Sequence, residues 1–273
     1  MNLNGLNDMS KLSSSTEPMP VLFIGHGSPM NAIEKNIFSI EWSALGASVP
    51  VPSAILCISA HWETNGSFVT SMEHPTTIHD FYGFPDKLFS LQYPAPGSLA
   101  LAKQIRERFA EGKVEADTTW GLDHGCWSIL KHVYPDANIP VVQLSLDYNL
   151  SPAEHFLLGR QLAGLRRKGI LIIGSGNIVH NLRMTNWKNT GQGYDWAIEA
   201  NEILKEKISD GDHKALQHYS TLGTAVQKAI PTPEHFLPLI YTLGLMDSHD
   251  QVSFFNDACI FGSLSMTSLK IFQ

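Results

Sequence analysis

Four histidines of this chain stand close to short apolar runs, where the ligands of a metal site are expected. Imidazole is the commonest metal-binding side chain, and it also exchanges protons near neutral pH. In an open α/β fold the apolar runs form buried strands, and ligands bind beyond the carboxyl ends of those strands. We therefore expect the four side chains to converge on one site. They are His26, His61, His180 and His235.

Two of these histidines follow predicted strands directly. His26 stands between two glycines after the run Val21–Ile24, and glycine on both sides leaves room beside the ring. His61 comes just after the run Ala54–Ser59. A turn histidine bonded to backbone is the structural alternative for His26, and a half-buried strand-end histidine is the alternative for His61. The presence of two strand-end histidines favours a ligand role for both.

The other two histidines lie in the second half of the chain. His180 follows GSGNIV, and Val179 occupies the third glycine position of the dinucleotide pattern G-x-G-x-x-G, so we expect a turn that presents His180 instead. A helix predicted to begin at Thr232–Pro233 carries His235 in its first turn, where the helix dipole favours neutral imidazole. Glu234 is a rival ligand because a carboxylate completes a two-histidine iron triad. The spacing leaves that choice open.

The remaining histidines divide into two pocket candidates and a solvent-facing group. His124, in LDHGCW, is the best candidate to bond a substrate hydroxyl or dioxygen, with capping of the following helix as the alternative. His79, in HDFYGFP, belongs either to the same pocket or to a surface loop. Polar or helical surroundings predict solvent exposure for the others, which are His74, His132, His155, His213, His218 and His249.

Composition excludes several classes of protein. The chain has 273 residues and a formal net charge of −7, without a basic run, so we expect no nucleic-acid partner. No apolar run reaches the length of a membrane span, so no membrane association is expected. The three cysteines are widely spaced, which fits a reducing cytoplasm. Polar residues 1–19 read as a flexible tail, and residues 20–273 as one catalytic domain.

Apolar runs alternate with helical patterns along the chain, which predicts one α/β domain. Residues 66–93 are expected to form a loop with little regular structure. The predicted strands are Val21–Ile24, Ala54–Ser59, Val141–Leu146 and Ile170–Ile173, with a terminal hairpin or edge pair of Val252–Phe255 and Ala258–Ile260. The predicted helices are Ile37–Leu45, Ser98–Ala110, one from about Trp127, one from Ser151 to about Arg167, and Tyr194–Ile208.

Six motifs together resemble a known family. They are GHGSPM, SAHWE, HDFYGFP, LDHGCW, GSGNIVHN and PTPEHFLPL, and they cover the chain from about Pro20 to its end. In this order they resemble the extradiol ring-cleaving dioxygenases of the protocatechuate 4,5-dioxygenase superfamily, most closely its 4,5-DOPA dioxygenase branch. The resemblance implies a single α/β domain with a mostly parallel central sheet flanked by helices and a metal site at the carboxyl ends of the strands.

The resemblance also implies roles for individual residues. It implies a mononuclear divalent metal bound by His26, His61 and His235. His180 matches the active-site base and is also a candidate fourth ligand in a substrate-free zinc site, and His124 matches a second catalytic histidine of the pocket. Relatives in the protocatechuate branch have a glutamate ligand where His235 stands, so this site is richer in histidine and better suited to bind zinc.

The reaction implied is the opening of a catechol with O2. L-DOPA cleaved at its 4,5 bond would give seco-DOPA, which leads to betalamic acid. Fe(II) is expected for ring cleavage and Zn(II) in the purified protein, because zinc has no accessible redox change. Two rival functions remain: a zinc-dependent hydrolase in which Glu63 or Glu234 activates water, and a non-catalytic binding protein on the same scaffold. The sequence predicts neither the physiological catechol nor the oligomeric state.

Overall fold

The computed structural model describes residues 17–273. The predicted tail, residues 1–19, therefore lies almost entirely outside the described residues. Ten strands occur in the described part of the chain: β1 Val21–Gly25, β2 Ala54–Thr64, β3 Ser67–Thr70, β4 Val114–Asp117, β5 Val141–Asp147, β6 Ile170–Gly176, β7 Gln251–Phe255, β8 Cys259–Ile260, β9 Leu264–Ser265 and β10 Ser268–Phe272.

Nine α-helices occur in the same part. They are α1 Ile37–Ser48, α2 Asp86–Phe89, α3 Leu99–Arg106, α4 His124–Val133, α5 Pro152–Leu162, α6 Asp195–Ser209, α7 His213–Gln217, α8 Thr224–Ala229 and α9 Leu237–Gly244. Short 3-10 helices occupy Pro29–Ala32, Ala163–Lys168, Leu182–Met184 and Tyr219–Thr221. None of the helices between residues 17 and 273 is both long and apolar enough to cross a membrane.

Eight strands form one sheet in the order β4-β3-β5-β2-β6-β1-β10-β7. Its centre is parallel, because β2 pairs in parallel with both β5 and β6, and β6 pairs in parallel with β1. β10 joins β1 and β7 in antiparallel fashion at one side. The expected mostly parallel central sheet flanked by helices is confirmed.

Helices cover both faces of this sheet, which explains why the central strands are continuous apolar runs. In β1, Val21 and Phe23 contribute to the core on one face, while Leu22 and Ile24 contribute to the core on the other. α5, α6 and α9 pack on the first face, and α1 and α4 pack on the second. Parallel strands with both faces covered leave their carboxyl ends open for a site.

The structure corrects several predicted elements. Residues 66–93 contain β3 and α2 rather than one irregular loop, and the helix expected from Trp127 begins earlier, at His124, where the Asp123 side chain caps it. The helix from Ser151 is α-helical only to Leu162 and continues as a 3-10 helix to Lys168 before Gly169.

The predicted terminal hairpin is wrong. Val252–Phe255 lies within β7, which pairs with β10 instead of with residues 258–260. The latter contain β8, which pairs with β9 in a separate two-stranded sheet. The hairpin prediction missed β10 itself, which inserts between β7 and β1.

Candidate metal centre

His26 and His61 are brought together by the order of the central strands. β6 lies between β1 and β2, so these histidines flank its carboxyl end. The residues of β6 at that point, Ser175 and Gly176, are small and leave room above the strand for two imidazole rings. Nε2 of His26 and Nε2 of His61 lie 3.0 Å apart. The expected convergence of the first two histidines is therefore present in the structure.

Backbone geometry and one hydroxyl orient His26. The following residue, Gly27, has φ +62°, a conformation that residues with a Cβ rarely adopt. The His26 backbone N–H donates to the Gly176 carbonyl at 3.1 Å. Nδ1 of His26 lies 2.9 Å from Oγ of Ser175. This contact turns Nε2 of His26 toward His61.

A bulge presents His61. The sequence predicted this histidine beyond the end of a strand, but β2 continues through it to Thr64. The pairing with β5 shifts register between Ile58 and Glu63, so four residues of β2 stand opposite the single residue Ser145. Bulges of this kind re-aim side chains and are common beside active sites. His61 is partly exposed as a result, with 18% of its side chain accessible.

His235 reaches the same site from a turn. The predicted helix start at Thr232–Pro233 is wrong, because α9 begins at Leu237 and the Pro233 carbonyl accepts from the backbone N–H groups of Phe236 and Leu237. The His235 carbonyl accepts from the backbone N–H of Asn177 at 2.9 Å. A Cβ on Gly176 would lie 2.1 Å from that carbonyl, so only glycine permits this approach.

His180 stacks on His235 at the edge of the site. The two rings are 3.4 Å apart at their centroids and inclined by 8°. The His180 backbone donates to the Ala229 carbonyl at 2.8 Å and forms an isolated bridge with Leu264. The predicted turn after GSGN therefore does present His180 to the cluster.

The fifth histidine, His124, is the first residue of α4 and contacts a carboxylate. Nδ1 of His124 lies 2.8 Å from Oδ2 of Asp80, and the His124 backbone N–H donates to Oδ1 at 2.9 Å. The same Oδ2 lies 3.3 Å from Nδ1 of His61. The capping alternative for His124 is not realised, because Asp123 occupies the cap. Asp80 was not among the predicted site residues.

Burial favours the neutral form of four of these imidazoles, those of His26, His61, His180 and His235. Desolvation, followed by the charges of neighbouring histidines, lowers the pKa of His26 and of His61 well below the ordinary value. Desolvation and His235 lower the pKa of His180 to about 2. The pKa of His235 is also lowered by burial, which Glu234 partly offsets. Neutral imidazole is the form that binds metals and accepts protons.

The donor atoms form three overlapping groups in the described part of the chain. In each group, one candidate ligand atom per residue lies within 4.8 Å of the others. The first group is the predicted ligand set, His26, His61 and His235. The other two are His61, Asp80 and His124, and His180, Glu234 and His235.

The first group has the chemistry of a cation site. Ser175 and Asp80 engage Nδ1 of His26 and of His61, so the two Nε2 atoms face each other. Two neutral imidazole nitrogens without a proton between them repel, and a divalent cation removes that repulsion. Imidazole suits zinc, iron, copper and nickel. The residues present therefore fit one divalent metal.

A cavity of about 260 Å³ opens onto all five histidines. Beyond the histidines and Asp80, its wall is mainly apolar and includes Phe81, Phe84, Leu182, Trp187 and Leu264. Such a wall suits a planar aromatic ring. Phe81 and Phe84 of the HDFYGFP motif thus line the cavity.

Several other sequence predictions are settled by position. Nε2 of His79 bonds the Leu91 carbonyl, so this histidine has a role within its loop. Solvent exposure is wrong for His155, which is fully buried, and for His132 and His213, which are half-buried. It is confirmed for His74, His218 and His249.

A family comparison decides the class of the protein. Residues 16–265 match the family described as the catalytic LigB subunit of aromatic ring-opening dioxygenase. The chain belongs to this family. It is an aromatic ring-opening dioxygenase of the extradiol type, and enzymes of this family use a metal.

Individual relatives agree with the family. The chain is 46% identical over 265 residues to a 4,5-DOPA dioxygenase extradiol of Escherichia coli, covering 95% of this chain and 97% of the relative. It is 37% identical to a protein of the same name from Beta vulgaris, covering 91% and 94%. A crystal structure of an uncharacterized protein from Escherichia coli K12 superimposes with a TM-score of 0.81 at 42% identity, covering 92% of this chain and 99% of that one. The resemblance stated from the motifs is confirmed.

Proposed function

We propose that this enzyme opens a catechol beside its two hydroxyl groups, and that L-DOPA cleaved at the 4,5 bond to seco-DOPA is one such substrate. The observation that carries the proposal is the convergence of His26, His61 and His235 on one point, with His124 and His180 facing the same cavity. The names of the relatives from Escherichia coli and Beta vulgaris support DOPA as a substrate.

We assign His26, His61 and His235 as the residues that hold the metal. Fe(II) is the metal proposed for turnover, and Zn(II) the metal proposed for the purified protein, because three imidazoles suit both ions. When bound, the metal supplies Lewis acidity toward the catechol oxygens and, as Fe(II), a path for electrons to O2. Glu234 orients His235 through a 3.2 Å contact with Nδ1, which favours the imidazole over Glu234 as the ligand.

His180 accepts a proton from the catechol in this proposal. Its ring lines the cavity and stacks on His235. His124 also lines the cavity and offers Nε2, since Nδ1 is engaged by Asp80. The apolar wall holds the ring and limits the access of water. The overall reaction balances without a reductant, because both atoms of O2 enter the ring-opened product.

A second cavity gives room for the substituent of a larger catechol. It measures about 750 Å³ and shares Ser28, Phe84 and Trp187 with the cavity above the histidines. Its wall includes the carboxylate residue Glu34 and the hydroxyl residue Thr190. These two residues offer partners for the ammonium and carboxylate groups of a catechol that carries an amino-acid substituent. This arrangement supports substituted catechols as the substrate class.

The test is oxygen uptake by metal-free protein reloaded with Fe(II) or with Zn(II). With Fe(II) we expect L-DOPA to consume one O2 per molecule and to give a yellow ring-opened product. With Zn(II) we expect metal binding without comparable oxygen uptake. His249→Ala is the matched control, because His249 is exposed and lies outside the cluster.

Three results would contradict the proposal or a part of it. Hydrolysis of a substrate without oxygen consumption would favour the zinc hydrolase, and failure of the iron-loaded protein to bind any catechol would favour the non-catalytic binding protein. Equal oxygen uptake with zinc and iron would contradict the redox role of the metal.

We also propose the reducing cytoplasm as the compartment, on the basis of three free cysteines.

A further inference from the structure

One carboxylate connects a proposed metal ligand with a pocket histidine. Asp80 lies between His61 and His124, and only 16% of its side chain is exposed. Its Oδ2 is 2.8 Å from Nδ1 of His124 and 3.3 Å from Nδ1 of His61. Its Oδ1 accepts from the backbone N–H of His124 at 2.9 Å. Three nitrogens therefore face the two oxygens of a single side chain.

We infer that Asp80 is a positioning residue that fixes the tautomer of both imidazoles. An ionised carboxylate only accepts hydrogen bonds, so it favours the proton on each Nδ1 that faces it. The proton on Nδ1 leaves a lone pair on Nε2. In His61 that lone pair faces Nε2 of His26, where the proposed metal binds. In His124 it is the ring nitrogen left free for the substrate.

The shared oxygen couples the two histidines. His61 and His124 meet at Oδ2, and their ring centroids are only 3.9 Å apart. A displacement of Asp80 therefore disturbs the metal ligand and the pocket residue together. Carboxylates that bond the second nitrogen of a metal-ligating histidine commonly contribute about 10- to 100-fold to metal affinity.

The isosteric change Asp80→Asn tests this assignment sharply. Asparagine offers one acceptor oxygen and one NH2 donor. If the NH2 group takes the position of Oδ2, it faces Nδ1–H of His61 and of His124. If it takes the position of Oδ1, it faces the backbone N–H of His124. The first arrangement is relieved only when a ring moves its proton to Nε2, which blocks the lone pair meant for the metal in His61 or for the substrate in His124.

The inference rests on the proposed metal site, but its first test requires neither turnover nor a variant. Long-range ¹H–¹⁵N spectra of the metal-free protein at pH 7 report which nitrogen of each imidazole carries the proton. We expect the proton on Nδ1 in both His61 and His124. A proton on Nε2 of either ring in the unmodified protein would overturn the inference.

The second test compares three variants for zinc affinity by competition with a chelator. We expect Asp80→Asn to shift at least one ring toward the Nε2–H tautomer and to weaken zinc binding by about 10- to 100-fold. Asp80→Glu keeps an acceptor-only carboxylate and should retain the Nδ1–H tautomers. Asp86→Asn is the matched control, because Asp86 is exposed in the same segment. Thermal unfolding of each variant establishes that it is folded.

The results of these tests distinguish a failure of the Asp80 role from a failure of the proposed reaction. Unchanged tautomers together with control-like zinc affinity in Asp80→Asn would overturn the positioning role. Loss of the Nδ1–H tautomers in a folded Asp80→Glu would do the same. A protein with the expected tautomers and zinc affinities that fails to open any catechol would contradict the proposed function and leave the role of Asp80 standing.

Discussion

His26 in the candidate metal centre and His155 in α5 are almost equally withdrawn from water, with exposed fractions of 1% and 0%. Burial lowers the pKa of both. Their surroundings differ. Both nitrogens of His26 have polar neighbours, Ser175 and His61. Neither ring nitrogen of His155 has a hydrogen-bond partner within residues 17–273, and its ring packs against Tyr241.

The comparison shows that burial of a histidine does not by itself indicate a site. At His26, three elements of the fold aim nitrogens at one point beside an open cavity, which indicates a ligand-binding role. At His155, a single imidazole packs between α5 and α9 as part of the core. A buried polar group without a partner lowers stability rather than supporting chemistry. A substitution at His26 should therefore weaken metal binding, whereas a substitution at His155 should leave metal binding nearly unchanged.

The largest expected difference is between His26→Ala and His155→Leu. Removal of a proposed ligand should weaken zinc binding by more than about 100-fold, since even supporting residues contribute about 10- to 100-fold. Iron-dependent oxygen uptake should fall to background. His155→Leu should keep both properties within about a factor of two. Chelator competition and oxygen uptake measure them. Equal losses in the two variants would show that general destabilisation, rather than loss of a ligand, explains the His26 result.

A smaller effect on metal affinity should distinguish His180 from the proposed metal ligands. The donor group that includes His180 contains Glu234 and His235 and neither His26 nor His61, which favours a proton-transfer role over a fourth ligand. His180→Gln should lower kcat by about 10²- to 10⁴-fold, the usual contribution of general acid–base catalysis. Zinc affinity should stay within about threefold of the unmodified protein. A loss of affinity as large as in His26→Ala would make His180 a ligand.

The sequence predicts the centre of this fold better than its periphery. β1, β5, β6 and the first half of β2 are largely apolar and buried on both faces, so their residue types alone identify them. β3, β4 and β10 are harder to predict, because their pairing depends on contacts far away in the chain. The start of α9 was placed too early because Thr232–Pro233 resembles a helix start, whereas Pro233 opens a turn that presents His235.

Two residues show what sequence patterns leave out. Asp80 contacts His61 and His124, which are distant in the chain, and no pattern around Asp80 itself predicts those contacts. His155 could have been assigned to the core, because Leu158 and Leu162 follow at the spacing of one helix face. The exposure prediction gave weight to the polarity of the imidazole and overlooked that periodicity.

The smallest expected effect concerns stability and pH. Burial, partly offset by Asp147, lowers the pKa of His155 to about 4, against an ordinary value of 6.5. The unfolded chain therefore binds this proton more readily than the folded one. The stability that depends on a neutral His155 is complete above pH 6.5 and is lost as the pH falls from 6.5 to 4. Between pH 7 and pH 5 the loss amounts to about 2 kcal/mol.

His155→Leu removes this titration and the unpartnered nitrogens while keeping a side chain of similar size. When the pH is lowered from 7 to 5, the free energy of unfolding of the unmodified protein should fall by about 2 kcal/mol more than that of His155→Leu. Urea unfolding of the metal-free proteins at the two pH values measures the difference, with His249→Leu as the exposed control. Identical pH dependence in the unmodified protein and His155→Leu would mean that His155 titrates normally in the folded chain. Burial alone would then be insufficient to hold an imidazole neutral here, and the neutrality of the metal centre would have to come from the mutual repulsion of its histidines.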